Sequence, residues 1–106
     1  MTPDSSEQFL TRLADNNPEL IERLVGRYVE NVSESGLDPR THALVRIASL
    51  VSIGAPAASF AWQVSMAREA GATDDEIAGV LMAVGPTAGT PRVVAAAPHV
   101  AQALAS

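Results

Sequence analysis

The stretch "LDPRTHALVRIASLVSIGAPAASFAWQVSMAREAGATDDEIAGVL", residues 37–81, is punctuated as three successive helices. Asp38 before Pro39 is a helix start: a carboxylate to cap the first amides, then a proline where no amide hydrogen is needed. Gly54 and Pro56 mark a turn and a second start, and Gly71 a stop. Thr73-Asp74-Asp75-Glu76 has the spacing of a capping box, with acids in the first turn. Ile77, Val80, Leu81 and Val84 then recur at helical spacing. The run "LVRIASLV" is rich enough in branched residues for a strand, but the Asp-Pro cap and the length of the segment decide for helix. Residues 38–54 and 56–70 are expected to form a central antiparallel helix pair. The first of these is apolar almost all round and should be buried on most sides. Its exception is a line through His42, Arg46 and Ser49, spaced by four and three and so on one face. His42, near the helix start, reads as part of a solvated stripe. Arg46, deeper in, reads as facing a cavity or a symmetry mate.

Working outward, "DSSEQFLTRLADNN" should begin at a cap on Asp4, Ser5 or Ser6 and place Phe9, Leu10 and Leu13 on one side. "NPELIERLVGRYVENV" reads as a single helix, capped by Asn17 with Pro18 first, and striped by Ile21, Leu24, Val25, Tyr28 and Val32. Gly36 ends it. On the other side, "GPTAGTP" (85–91) should break the helix begun at Asp74. A last helix from about Pro91 carries Val93, Val94, Ala97, Val100, Ala101 and Leu104, kinked or locally opened at Pro98. The expected fold is all-α, one domain over residues 1–106, with about six helices.

The chain has 106 residues, 47% of them hydrophobic, but only two Phe, one Trp and one Tyr. An alanine-rich apolar excess in a short chain favours closely packed helices and burial across a subunit boundary. A net charge of −5 without a basic run argues against nucleic acid and anionic membranes as partners. Arg46, Ser49, Ser52, Gln63, Gly85 and Pro86 interrupt every apolar stretch, so no clean span of about 18–20 residues exists for a membrane. The N-terminus "MTPDSSEQFL" lacks the pattern of a signal peptide, and a cytoplasmic location is the expectation. The sequence contains no cysteine, which removes disulfides, thiolate ligands and thiol catalysis together.

Reactive sets are few. His42 and His99 have no metal-ligand spacing, and no metal or cofactor is expected. They are the two side chains suited to proton transfer near neutral pH. A helix start explains Asp74, Asp75 and Glu76 better than a metal does. No phosphate loop and no nucleophile elbow is present.

The quoted stretch resembles the carboxymuconolactone decarboxylase family, which shares the AhpD-like all-helical fold. The likeness lies in the "LDPRT" entry, the bend "GAPAASFAW" (54–62) and "AREAGATDDEIAGVL" (67–81). The tail "GTPRVVAAAPHVAQAL" (89–104) is similar to the closing helix of the cysteine-less members. The resemblance implies a helical protomer assembling as a homotrimer or homohexamer. In the peroxidase branch a glutamate, a cysteine pair and a histidine do the chemistry. Here Ala43 stands at the glutamate position, Ala55 and Ala58 lie nearest the cysteines, and Gln63 takes the place of the histidine. Thiol peroxidase activity is therefore excluded.

What the resemblance leaves is a decarboxylase or lyase acting on a small carboxylated or lactone metabolite in a pocket at a subunit boundary. Arg46 or Arg92 would hold a carboxylate, Gln63 and Trp62 would shape the pocket, and His42 would lie beside them; no catalytic residue is assigned. The competing expectation is a catalytically silent oligomer that binds a small ligand or a protein partner. Gln63 itself reads either as a pocket residue or as an ordinary helix residue at a half-exposed site. If Gln63 lines a pocket, Gln63→Ala should weaken ligand binding with little loss of fold; a much lower melting point with unchanged binding would mark it as structural.

Overall fold

Asp38 does what its position predicts. Its Oδ1 accepts from the Thr41 amide at 2.9 Å and its Oδ2 from the Thr41 hydroxyl at 2.8 Å. Behind that cap runs α4, Pro39–Ile53, ended by Gly54 in the left-handed region. The computed structural model describes residues 3–24 and 26–106, with side chains from Ser5 onward. Every regular element among them is a helix: α1 Pro3–Ala14, α2 Pro18–Leu24, α3 Tyr28–Ser35, α4, α5 Ala57–Glu69, α6 Asp74–Ala88 and α7 Thr90–Ala105. The helices fall into two compact units, residues 1–37 and 38–106.

In the second unit, α4 packs on α5, α6 and α7, and α7 also packs on α5 and α6. The pair expected over 38–54 and 56–70 is thus α4 and α5. Ile47 and Val51 of α4, Phe60 and Val64 of α5 and Ile77 of α6 are buried at the centre, with Val100 of α7 closing it. Ala43, Ala67, Ala96 and Ala103 fill the contacts between helices. Their small side chains let the backbones approach, which is how a core with so few aromatics closes. Burying each Ile, Val or Phe contributes about 1.5–3 kcal/mol.

Two side chains tie the helix ends together. Arg68, late in α5, grips Asp74 in α6 with two bonds of 3.0 Å and gives a further N–H to the Leu104 carbonyl of α7 at 2.8 Å. That carbonyl lies in the last turn, where no amide follows to satisfy it. The Arg68 hydrogen bond holds the Asp74 carboxyl below the usual carboxylate range. The capping box is complete: the Thr73 hydroxyl accepts from the Glu76 amide at 3.1 Å, and Glu76 accepts from the Thr73 amide at 2.9 Å. Glu76 also pairs with Arg40 of α4.

Several expectations are corrected. The described residues form seven helices where about six were expected, because "NPELIERLVGRYVENV" breaks. Asn17 caps α2 as expected, accepting from the Leu20 amide at 3.2 Å. α2 ends at Leu24, Gly26 lies in a bend, and Arg27 is extended before α3. A mid-helix glycine costs about 1 kcal/mol relative to alanine, and two short helices avoid it. Leu20 is the buried residue of α2, while Ile21 and Leu24 are exposed; Val25 lies outside the described residues. α1 already begins at Pro3, so Asp4, Ser5 and Ser6 lie inside it rather than at its cap. Leu10 is exposed.

The break expected within residues 85–91 comes at Gly89, and neither Pro86 nor Pro98 interrupts its helix. α6 runs on through Gly85 and Pro86 to Ala88, and α7 is helical through Pro98. Each proline withholds an amide from the carbonyl four residues back. Those carbonyls belong to Met82 and Val94, both exposed residues, where water can replace the lost donor. In α7, Val94, Ala97 and Ala101 are exposed and Ala96 and Ala103 buried in their stead. α4 is also less enclosed than its composition suggests, with Val45 half exposed and Ile53 69% exposed.

Gly54 provides a direct test of the α4–α5 turn. Its φ is +68°, and a Cβ there would collide with Nη1 of Arg92. Gly54→Ala is expected to destabilise the protein by about 1–2 kcal/mol, since backbone strain alone is of that order. Urea denaturation of the two proteins measures it. An unchanged midpoint would show that the turn does not require glycine.

Candidate functional site

The polar line on α4 does not stay in one environment. His42 is 4% exposed, Arg46 half-buried and Ser49 exposed. The solvated reading of His42 is therefore wrong: the helix turns that position into the interior, beside Ala43 and one turn before Ile47, both fully buried. Arg46 follows one turn later and reaches across to α5. Its Nε donates to Oε1 of Gln63 at 3.1 Å.

Gln63 is 1% exposed and among the largest fully enclosed side chains. It is not the half-exposed residue that the sequence suggested. Phe60, Gln63, Val64 and Ala67 form the buried face of α5, and Gln63 occupies the place in that face that meets the arginine. A buried amide needs partners to offset its lost hydration, and Arg46 supplies one. Gln63 is neutral, so the contact orients the guanidinium without cancelling its charge.

Burial pushes the His42 imidazole below its ordinary value of 6.5, and the charge of Arg46 adds to the effect. His42 is thus neutral near pH 7 and able to accept a proton. The unfolded chain binds that proton near pH 6.5 while the folded protein resists it. Stability from this group is complete above 6.5 and is lost as pH falls through the lower folded value. Urea midpoints measured from pH 7.5 down to 5 should therefore fall for the parent. His42→Gln should flatten that part of the profile, and a slope common to both proteins would assign the effect elsewhere.

The other predicted residues do not join this cluster. Trp62 follows the exposed side of α5 and is 51% exposed. Arg92, early in α7, lies over Gly54 and lines a cavity of about 70 Å³ with Ala55, Phe60 and His99. The structure thus joins His42, Arg46 and Gln63 and places Arg92 in a second group. The sequence reading missed the pairing within that group: the His99 and Phe60 rings stack at 5.7 Å with 29° between their planes. Their separation along the chain gave no sign of it.

A different cavity, of about 470 Å³, lies in the N-terminal unit against Phe9, Leu20 and Leu24. It contains none of the predicted residues, and its arginines have carboxylates at hand: Arg23 pairs with Glu34, and Arg12 lies 4.0 Å from Glu19. Among the described residues no group of three or more His, Asp or Glu could hold a metal ion. No helix among them is long and apolar enough to cross a membrane.

This arrangement is a helical scaffold with a guanidinium oriented between two core helices. The family profile of the carboxymuconolactone decarboxylases matches residues 18–103, and the chain belongs to that family. No curated protein and no solved structure gives a significant match. At the positions that resemble the peroxidase motif, Ala43 is fully buried, Ala55 half-buried and Ala58 exposed. None of these carries a group that ionises.

Proposed function

We propose that the protein binds a small carboxylated or lactone metabolite and that Arg46 receives its carboxylate. The observation that carries this reading is the 3.1 Å bond from Arg46 to Gln63. A guanidinium fixed by a neutral acceptor offers its planar donors in a set direction, and that fork matches a carboxylate. His42 relays a proton from water to the carbon that loses CO₂, which makes the protein a slow decarboxylase. Gln63 cannot contribute the roughly 10²–10⁴-fold that a general base supplies. Trp62 forms a wall that a second subunit completes. The exposure of Ile53, Trp62, Met82 and Val94 supports assembly into a homotrimer or homohexamer, since a second copy would cover such side chains. The alternative, a silent oligomer that binds without turning over, draws support from the enclosure of His42 and Gln63 within the protomer.

The test combines calorimetric binding of carboxymuconolactone, CO₂ release and light scattering, on the parent and on Arg46→Gln. Binding that weakens at least tenfold in an assembled variant is the expected result. CO₂ release by the parent selects the decarboxylase, and binding without release the silent form. An assembled parent that binds nothing overturns both. No hydroperoxide reduction with a thiol donor is expected from a chain without cysteine.

A further inference from the structure

The geometry points to a second ligand site, for a planar oxyanion of about three or four heavy atoms, between α7 and the α4–α5 turn. Arg92 supplies its charge and His99 a further N–H donor. It uses none of the residues of the Arg46 cluster and stands independently of the metabolite proposed there.

Arg92 differs from the other arginines of the helical core. Arg40 pairs with Glu76, Arg68 with Asp74, and Arg46 bonds to Gln63. Among the described residues Arg92 has no hydrogen bond or ion pair. Its side chain is exposed, and its guanidinium lies over Gly54, in the space that a side chain there would need. A cation is thus seated against the backbone with no carboxylate among the residues that line the cavity beside it.

That cavity measures about 70 Å³. By the same measure a single water needs about 10–15 Å³, so the space holds several water-sized groups and has room for formate, acetate or bicarbonate. Its apolar walls include Phe60 and Ala96, both buried. Low-dielectric walls strengthen attraction between a guanidinium and an anion. The stack on Phe60 fixes the plane of His99, and imidazole offers an N–H in either protonation state. A planar carboxylate can take two parallel bonds from a guanidinium and a third from the ring.

The experiment is an amide NMR titration of the intact protein with sodium formate, acetate and bicarbonate. Sodium chloride at equal ionic strength and sodium benzoate serve as controls. The expected result is saturable shifts at Gly54, Ala55, Ala95, Ala96 and His99 with the small oxyanions and none with benzoate. Arg92→Gln should weaken binding at least tenfold with an unchanged melting temperature. Should that variant melt early, Ala95→Leu narrows the cavity from its exposed side and should abolish the same shifts. Shifts that track chloride, or that survive in both variants, overturn the site.

Discussion

Gln63→Ala is expected to lower the thermal midpoint by roughly 10–20 °C. The side chain is 1% exposed and in contact with the main core face of α5. Its removal leaves a cavity and takes away the Oε1 acceptor of the Arg46 Nε. Losses of this type cost about 2–4 kcal/mol together, and in a chain of this size each kcal/mol is worth about 4–8 °C. Gln63→Leu refills most of the space and should recover part of the loss, leaving the cost of the missing acceptor. A double-mutant cycle with Arg46→Ala separates the bond from the packing; a coupling of about 0.5–1.5 kcal/mol is expected. A Gln63→Ala protein that melts within a degree or two of the parent would show that the amide is not held as described.

Phe60→Ala should have a larger effect. Among the described residues Phe60 is the largest fully buried side chain, in a sequence with only two phenylalanines. Truncating a buried phenylalanine costs about 3–5 kcal/mol, against a total stability of about 5–15 kcal/mol for a domain. The variant should lose much of its cooperative urea transition at 37 °C and should release His99 from its stack. Phe60→Leu, nearer in volume, should retain the transition. Near-ultraviolet circular dichroism and urea curves on the three proteins decide it: equal midpoints for Ala and Leu would mean that the core is not built around this ring.

The parts of the fold legible in the sequence were those governed by local hydrogen bonds. Asp38 with Pro39, Asn17, and Thr73 with Glu76 satisfy donors within three residues of themselves, so their spacing carries the information. The α2–α3 break and the passage of α6 through Pro86 depend on comparing a lost bond with what the rest of the helix buries. That comparison requires knowing which side faces water. The candidate site divides in the same way. The family likeness singled out Gln63, and the polar spacing on α4 singled out Arg46. Their bond joins residues 17 apart on two helices, and only the packing register of α4 on α5 brings them together. His42 was misread because the same register rotates it inward. Trp62 adjoins Gln63 in the chain, yet faces the opposite environment.

That last contrast makes the single tryptophan an optical probe of a particular event. Indole emission moves to shorter wavelength when water leaves the ring. Trp62 is already half in water in the folded protomer, so unfolding the core exposes only the remaining half and moves its emission less than it would that of a fully buried ring. A neighbouring subunit settling over the outer side of α5 would dehydrate the ring and shift its colour. A shift of the intrinsic emission to shorter wavelength on raising the protein concentration would therefore be the mark of such a contact.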